Sequence, residues 1–96
     1  RGVNIYPSAI DNLLRGIKEI EEYRATVEVK EEMSELTLEI EVSEQANAET
    51  VRSVLLESIS NKLGLRPVIE LLEHNALPRF ELKGRRFHVN VKSKQA

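Results

Sequence analysis

The clearest pattern along the chain is a change of period. From Tyr23, apolar and polar positions alternate strictly, with Tyr23, Ala25, Val27 and Val29 set against Arg24, Thr26, Glu28 and Lys30. After a polar stretch at residues 31–35 the alternation resumes, with Leu36, Leu38, Ile40 and Val42 set against Thr37, Glu39 and Glu41. Two such runs joined by a short polar connection predict an antiparallel hairpin with one buried face. On this reading the strand carboxylates take the outward phase and form a solvated face.

Helical periodicity flanks the hairpin on both sides. Residues 3–5 are short and β-prone and run into Pro7 and Ser8. Proline suits a first helical turn, and Ser8 with Asp11 three residues on makes a capping-box-like start. Ile10, Leu13, Leu14 and Ile17 then mark one helical face, and Gly16 is the expected stop in a left-handed conformation. Beyond the polar residues 43–48, the positions Val51, Val54, Leu55, Ile59 and Leu63 mark a second amphipathic helix, with Gly64 as its stop. Residues 66–72 form another β-prone run, in which Pro67 fits the first residue or an edge. Residues 74–78 read as a turn, and residues 80–91 as a final hairpin with Lys83 and Gly84 near its bend. The expected order is β-α-β-β-α-β with a C-terminal β-hairpin extension. Two helices on one face of a mainly antiparallel sheet make this an α+β, ferredoxin-like arrangement. That fold hosts many unrelated functions and decides none of them.

Composition narrows the chemistry further. Ninety-six residues make one domain, and 41 % hydrophobic residues suffice for one modest core. Cysteine is absent, so disulfides and thiolate metal sites are excluded, and a reducing cytoplasm is the expected setting. No apolar run approaches the roughly 20 residues of a membrane helix. No glycine-rich phosphate loop and no nucleophile elbow is found. His74 and His88 lack the spacing and the partners of a metal site, so no metal is expected; His74 reads as a solvent-facing turn residue. Aromatic residues are only 4 %, and Phe80 and Phe87 fit a core as well as a base-stacking surface, which argues against nucleic-acid binding. The first residue is Arg1, which gives the expectation of a portion of a longer chain.

Charge is unevenly spread. From Arg79 onward there are six basic residues against one acidic residue, whereas residues 1–78 hold 8 basic and 15 acidic ones. A basic tail on an acidic body suggests an anionic partner, although a solvated strand end accounts for the charge equally well.

Two segments supply a more specific signal. Arg1, Gly2, Val3, Asn4, Ile5, Tyr6 and Pro7, with Ile10 and Asp11, resemble the stretch that follows the hinge of AMP-forming acyl-CoA ligases. Leu77, Pro78, Arg79, Phe80, Glu81, Leu82, Lys83, Gly84, Arg85 and Arg86 resemble the C-terminal motif of that family, in which a Leu-Pro-Arg-like turn precedes an exposed lysine. One departure is that Leu82 precedes the lysine where many ligases have glycine, and Gly84 follows it. With the helix–hairpin–helix pattern between them, the two segments resemble the small C-terminal lid domain of phenylacetate-CoA ligases over nearly the whole chain.

The resemblance implies a two-step reaction in the full-length enzyme. A carboxylic acid, here an aromatic one, is activated by ATP with Mg²⁺ to acyl-AMP, and CoA then takes the acyl group. Lys83 is the implied catalytic residue, because a compact mobile cation stabilises charge developing on oxygen; an ordinary turn lysine is the bland alternative. Gly2 is implied to border the pantetheine path, where glycine lets backbone approach a ligand. Arg79 and Arg86, with Arg85, are candidates for CoA or nucleotide phosphates, against a solvated strand or an interdomain ion pair. None of these cofactors is expected to bind tightly to this domain alone. The implied partner is the large N-terminal adenylate-binding domain of the same chain, with homodimerisation a further option. The competing reading is a regulatory or oligomerisation module of similar build that binds an amino acid or a similar ligand.

Overall fold

The computed structural model describes residues 5–30, 33–78 and 86–92. Helix α1 spans Pro7–Arg15 and begins with Tyr6 at the N-cap, Pro7 at the first turn and no side-chain cap. Ser8 thus lies inside the helix rather than at its boundary. The fixed φ of Pro7 starts the helix without a capping side chain. Ile10 and Leu14 are buried one turn apart, as the spacing predicts. Gly16 ends α1, but at φ −77° rather than in the left-handed region. Its N–H reaches the Asn12 and Leu13 carbonyls at 3.2 Å, so a tightened right-handed last turn replaces the expected cap.

Strands β1 (Ile20–Lys30) and β2 (Met33–Val42) form the predicted antiparallel hairpin, each longer than its alternating run. Helix α2 (Ala48–Leu63) is capped by Asn47, whose side chain accepts from the Thr50 N–H at 3.0 Å. It ends at Gly64 with φ 70°, the left-handed conformation that glycine adopts without a Cβ penalty. Val54, placed on the apolar stripe by spacing, is 46 % exposed, and half-buried Leu56 packs against the core instead.

After α2 the chain returns as β3 (Val68–Leu72), parallel to β2, and it finishes as β4 (Phe87–Lys92), parallel to β1. The sheet order is β3-β2-β1-β4. One antiparallel contact and two parallel ones make the sheet mixed rather than mainly antiparallel. For β2 and β3 the cause is topological, since the crossover through α2 returns the chain in its original direction. Pro67 immediately precedes edge strand β3, where its missing N–H costs no ladder bond. Ile5 lies outside any strand. Residues 1–4 and 79–85, which carry the first expected strand and the first arm and bend of the final hairpin, lie outside the described residues.

The core lies between the helices and one face of the sheet. Ile10 and Leu14 of α1 and Val51, Leu55 and Ile59 of α2 pack with Tyr23, Ala25, Leu36, Leu38, Ile40 and Ile69. Phe87 joins this cluster partly buried. The architecture is α+β and consistent with a ferredoxin-like domain. Among the described residues, no helix is long and apolar enough to cross a membrane.

Candidate functional site

A β-bulge decides what the opposite face of the sheet carries. Ile20 pairs with Val42 and Glu22 with Glu41, so β1 has one residue more than β2 at this point. The extra residue lets Ile20 and Tyr23, three apart, share the core face, and it sets Glu22 beside Glu41 on the other face. These carboxylates take the expected outward phase, but they do not form the expected solvated face. Glu22 is only 4 % exposed and Glu41 is fully buried, because later parts of the chain cover them.

Glu41 is covered by the turn after β3. Its two oxygens accept the backbone N–H groups of Asn75 at 2.6 Å and Leu77 at 3.3 Å. Asn75 has φ 67°, and Ala76 closes the turn with a 3.0 Å bond to the Glu73 carbonyl. A left-handed residue inside a turn aims neighbouring N–H groups into one concavity, which suits an anion. Asparagine tolerates that conformation better than most residues. Leu77 is buried against this face.

Glu22 is covered by Arg86, which stands immediately before β4. The guanidinium donates through Nε at 2.5 Å and through its second terminal nitrogen at 3.2 Å, a two-point pairing. The Glu22 hydrogen bond outweighs burial and holds Arg86 above the usual arginine range. The same guanidinium lies 5.8 Å from the centre of the Tyr23 ring, within reach of a cation–π contact.

Tyr23 ties this edge to α1, donating its hydroxyl to Asp11 at 2.6 Å; Arg15 holds the other Asp11 oxygen at 3.3 Å. Burial first, and then the hydrogen bond and charge of Asp11, push the Tyr23 phenol up from its ordinary value. A recess of about 270 Å³ opens beside this network, with Arg15, Lys18, Glu21 and Arg86 on its wall. Asp11, expected as part of a capping-box-like helix start, is thus the buried acceptor that joins α1 to β1.

His74 is exposed in the turn after β3, as the sequence predicts. Its Nδ1 lies 2.8 Å from Glu21 and 3.9 Å from Glu41. Glu21, Glu41 and His74 each bring one possible ligand atom to within 4.8 Å of the others. Both Glu41 oxygens are taken by backbone N–H groups and Glu21 engages His74, so we assign no metal to this cluster.

Of the residues named from sequence, Arg86 is described and is engaged within the domain, by Glu22. Gly2, Arg79 and Lys83 lie outside the described residues, as does Arg85. Missed from sequence were Glu22 and Glu41, since alternation alone gave no sign that a turn and an arginine would cover them.

Residues 2–90 match the family model described as AMP-binding enzyme C-terminal domain. The chain belongs to this family. A solved domain of phenylacetate-coenzyme A ligase from Bacteroides vulgatus ATCC 8482 is similar to this AMP-binding enzyme C-terminal domain, with a TM-score of 0.76 and 25 % identity over 97 % of this chain and 91 % of that one. A 2-hydroxyisobutyryl-CoA ligase solved with 2-HIB-AMP and CoA in the thioesterification state is similar at a TM-score of 0.80 and 33 % identity, over 96 % of this chain. The same ligase in the postadenylation state matches at a TM-score of 0.76 and 35 % identity, over 91 % of this chain. The C-terminal domain spans 20 % of the length of these ligase chains. No curated protein matches the sequence.

Proposed function

We propose that this chain is the mobile lid of an AMP-forming CoA ligase that acts on an aryl carboxylic acid such as phenylacetate. The family match over residues 2–90 carries this reading, and it disfavours the amino-acid-binding module. Its supports are a relative solved with an acyl-AMP and CoA and a second relative that is a domain of a phenylacetate-CoA ligase.

In the first step the substrate carboxylate oxygen bonds the α-phosphorus of ATP, the bond to the β-phosphate bridge breaks, and pyrophosphate leaves. In the second step the CoA thiol gives its proton to solvent, its sulfur bonds the acyl carbon, the acyl–oxygen bond breaks, and AMP leaves. Lys83 is the proposed catalytic residue of the first step, supplying a cation to oxygens that gain charge. Gly2 is proposed to border the path of the pantetheine arm in the second step. Arg79 is proposed for phosphate contacts. Arg86 shares that proposal, but its two-point pairing with Glu22 favours an anchoring role. ATP with Mg²⁺ and CoA would be held with the large N-terminal domain, and no ligand of Mg²⁺ is assigned to this one.

A panel of carboxylic acids offered to the full-length enzyme tests this reading through AMP and thioester formation. We expect preference for arylacetates. Selection of acetate, a long-chain fatty acid or a short hydroxy acid would remove the aryl-acid assignment and leave the ligase class intact. Absence of acid-dependent AMP formation with every acid would remove the ligase reading itself.

A further inference from the structure

Glu22 and Glu41 face each other across the β1–β2 ladder, on the sheet face away from the core. Directly opposed residues have Cβ atoms about 5 Å apart, and like charges in that relation repel. Burial adds a desolvation cost that only good donors offset. A buried carboxylate pair is therefore a poor device for stability alone, because apolar residues of similar volume often do as well.

The donors come from two separate places. Glu41 takes the Asn75 and Leu77 N–H groups, and Glu22 takes the Arg86 guanidinium. Between Leu77 and Arg86 the sequence runs Pro78, Arg79, Phe80, Glu81, Leu82, Lys83, Gly84 and Arg85. Both ends of the segment that contains Lys83 are thus tied to one pair of neighbouring carboxylates. Four hydrogen bonds tie Asn75, Leu77 and Arg86 to the two central strands of the sheet.

We propose that Glu22 and Glu41 are positioning residues for the adenylation step, acting through Lys83 by fixing both ends of its segment. This inference rests on the role proposed above for Lys83. The physical reason is preorganisation. A cation held in place stabilises a transition state without reordering at the moment of reaction, and a displacement of about 1 Å can cost on the order of 10²-fold in rate. The carboxylates never touch substrate. Their effect is expected on the rate of the first half-reaction and not on the second.

The test is a double-mutant cycle in the full-length ligase. Glu22→Gln and Glu41→Gln keep the shape and remove the charge, and each is combined with Lys83→Ala. Pyrophosphate release reports the first half-reaction, and thioester formation from synthetic acyl-AMP reports the second. Each single glutamine variant should slow adenylation by about 10- to 100-fold, leave KM for ATP nearly unchanged, and spare thioester formation. In the Lys83→Ala background the same substitution should have almost no further effect. Equal slowing of both half-reactions, or the same fold-loss with and without Lys83, would reduce the pair to a structural role and overturn the inference. A normal rate for Lys83→Ala alone would instead refute the role of Lys83. Should a glutamine variant fail to fold, Glu22→Asp and Glu41→Asp retain the charge one methylene back and enter the same cycle with the same expectations.

Discussion

Lys83→Ala in the full-length enzyme should slow acyl-AMP formation by about 10²–10³-fold, the usual cost of removing one preorganised charge-stabilising donor. Conversion of supplied acyl-AMP with CoA should stay near normal. The asymmetry follows from a lid that presents different faces in different steps. A relative of this domain has been solved in postadenylation and thioesterification states, which supports that expectation. Lys92, in β4, and Lys94 beyond it supply the comparison, because they carry the same charge away from the motif. Alanine at either should change each half-reaction by much less. Equal and small effects at all three positions would make Lys83 one more surface lysine.

A second large effect is expected on stability. Arg86→Ala should destabilise this 96-residue chain by about 3 kcal/mol, near the lower end of what orphaning a buried charge costs. The lower end applies because the Arg86 side chain is 14 % exposed and Glu22 keeps a 3.1 Å bond from the Tyr23 N–H. For a domain of this size the loss corresponds to a fall in Tm of roughly 12–20 °C. Adding Glu22→Gln to Arg86→Ala should recover much of it, since the buried group is then neutral. Chemical denaturation of the four proteins measures the coupling directly. A loss below about 0.5 kcal/mol would class the pair with exposed ion pairs, which contribute little.

The difference between what the sequence revealed and what it concealed lies in which interactions are local. Tyr23 to Val29 and Leu36 to Val42 announced their strands through a period of two, because one face of each strand packs on the helices. Pro7 and Gly64 marked helix ends through backbone constraints of their own. Gly16 did not follow that rule, since a right-handed closing turn needs no glycine. Glu22 and Glu41 took the phase that alternation assigned to them. Their burial comes from Leu77 and Arg86, which are 36 and 64 residues away from their partners. No window short enough to show periodicity spans such distances. The bulge that aligns the two carboxylates is equally silent, since Glu21 is an ordinary polar residue at a strand end. The C-terminal motif was legible only through its family likeness, because one lysine among six basic residues carries no chemical signature of its own.

The central claim is that this domain brings catalytic groups to a reaction centre held mainly by another domain. Removing residues 1–96 from the full-length ligase tests it most directly, with ATP binding as the check that the remainder is folded. The account predicts that the truncated enzyme still binds ATP and acid but forms acyl-AMP at least about 10²-fold more slowly, as expected when a preorganised cation is lost. It also predicts no detectable acyl-CoA from the truncated enzyme, and none from the isolated domain. Near-normal pyrophosphate release by the truncated enzyme, or thioester formation by the isolated domain, would contradict it.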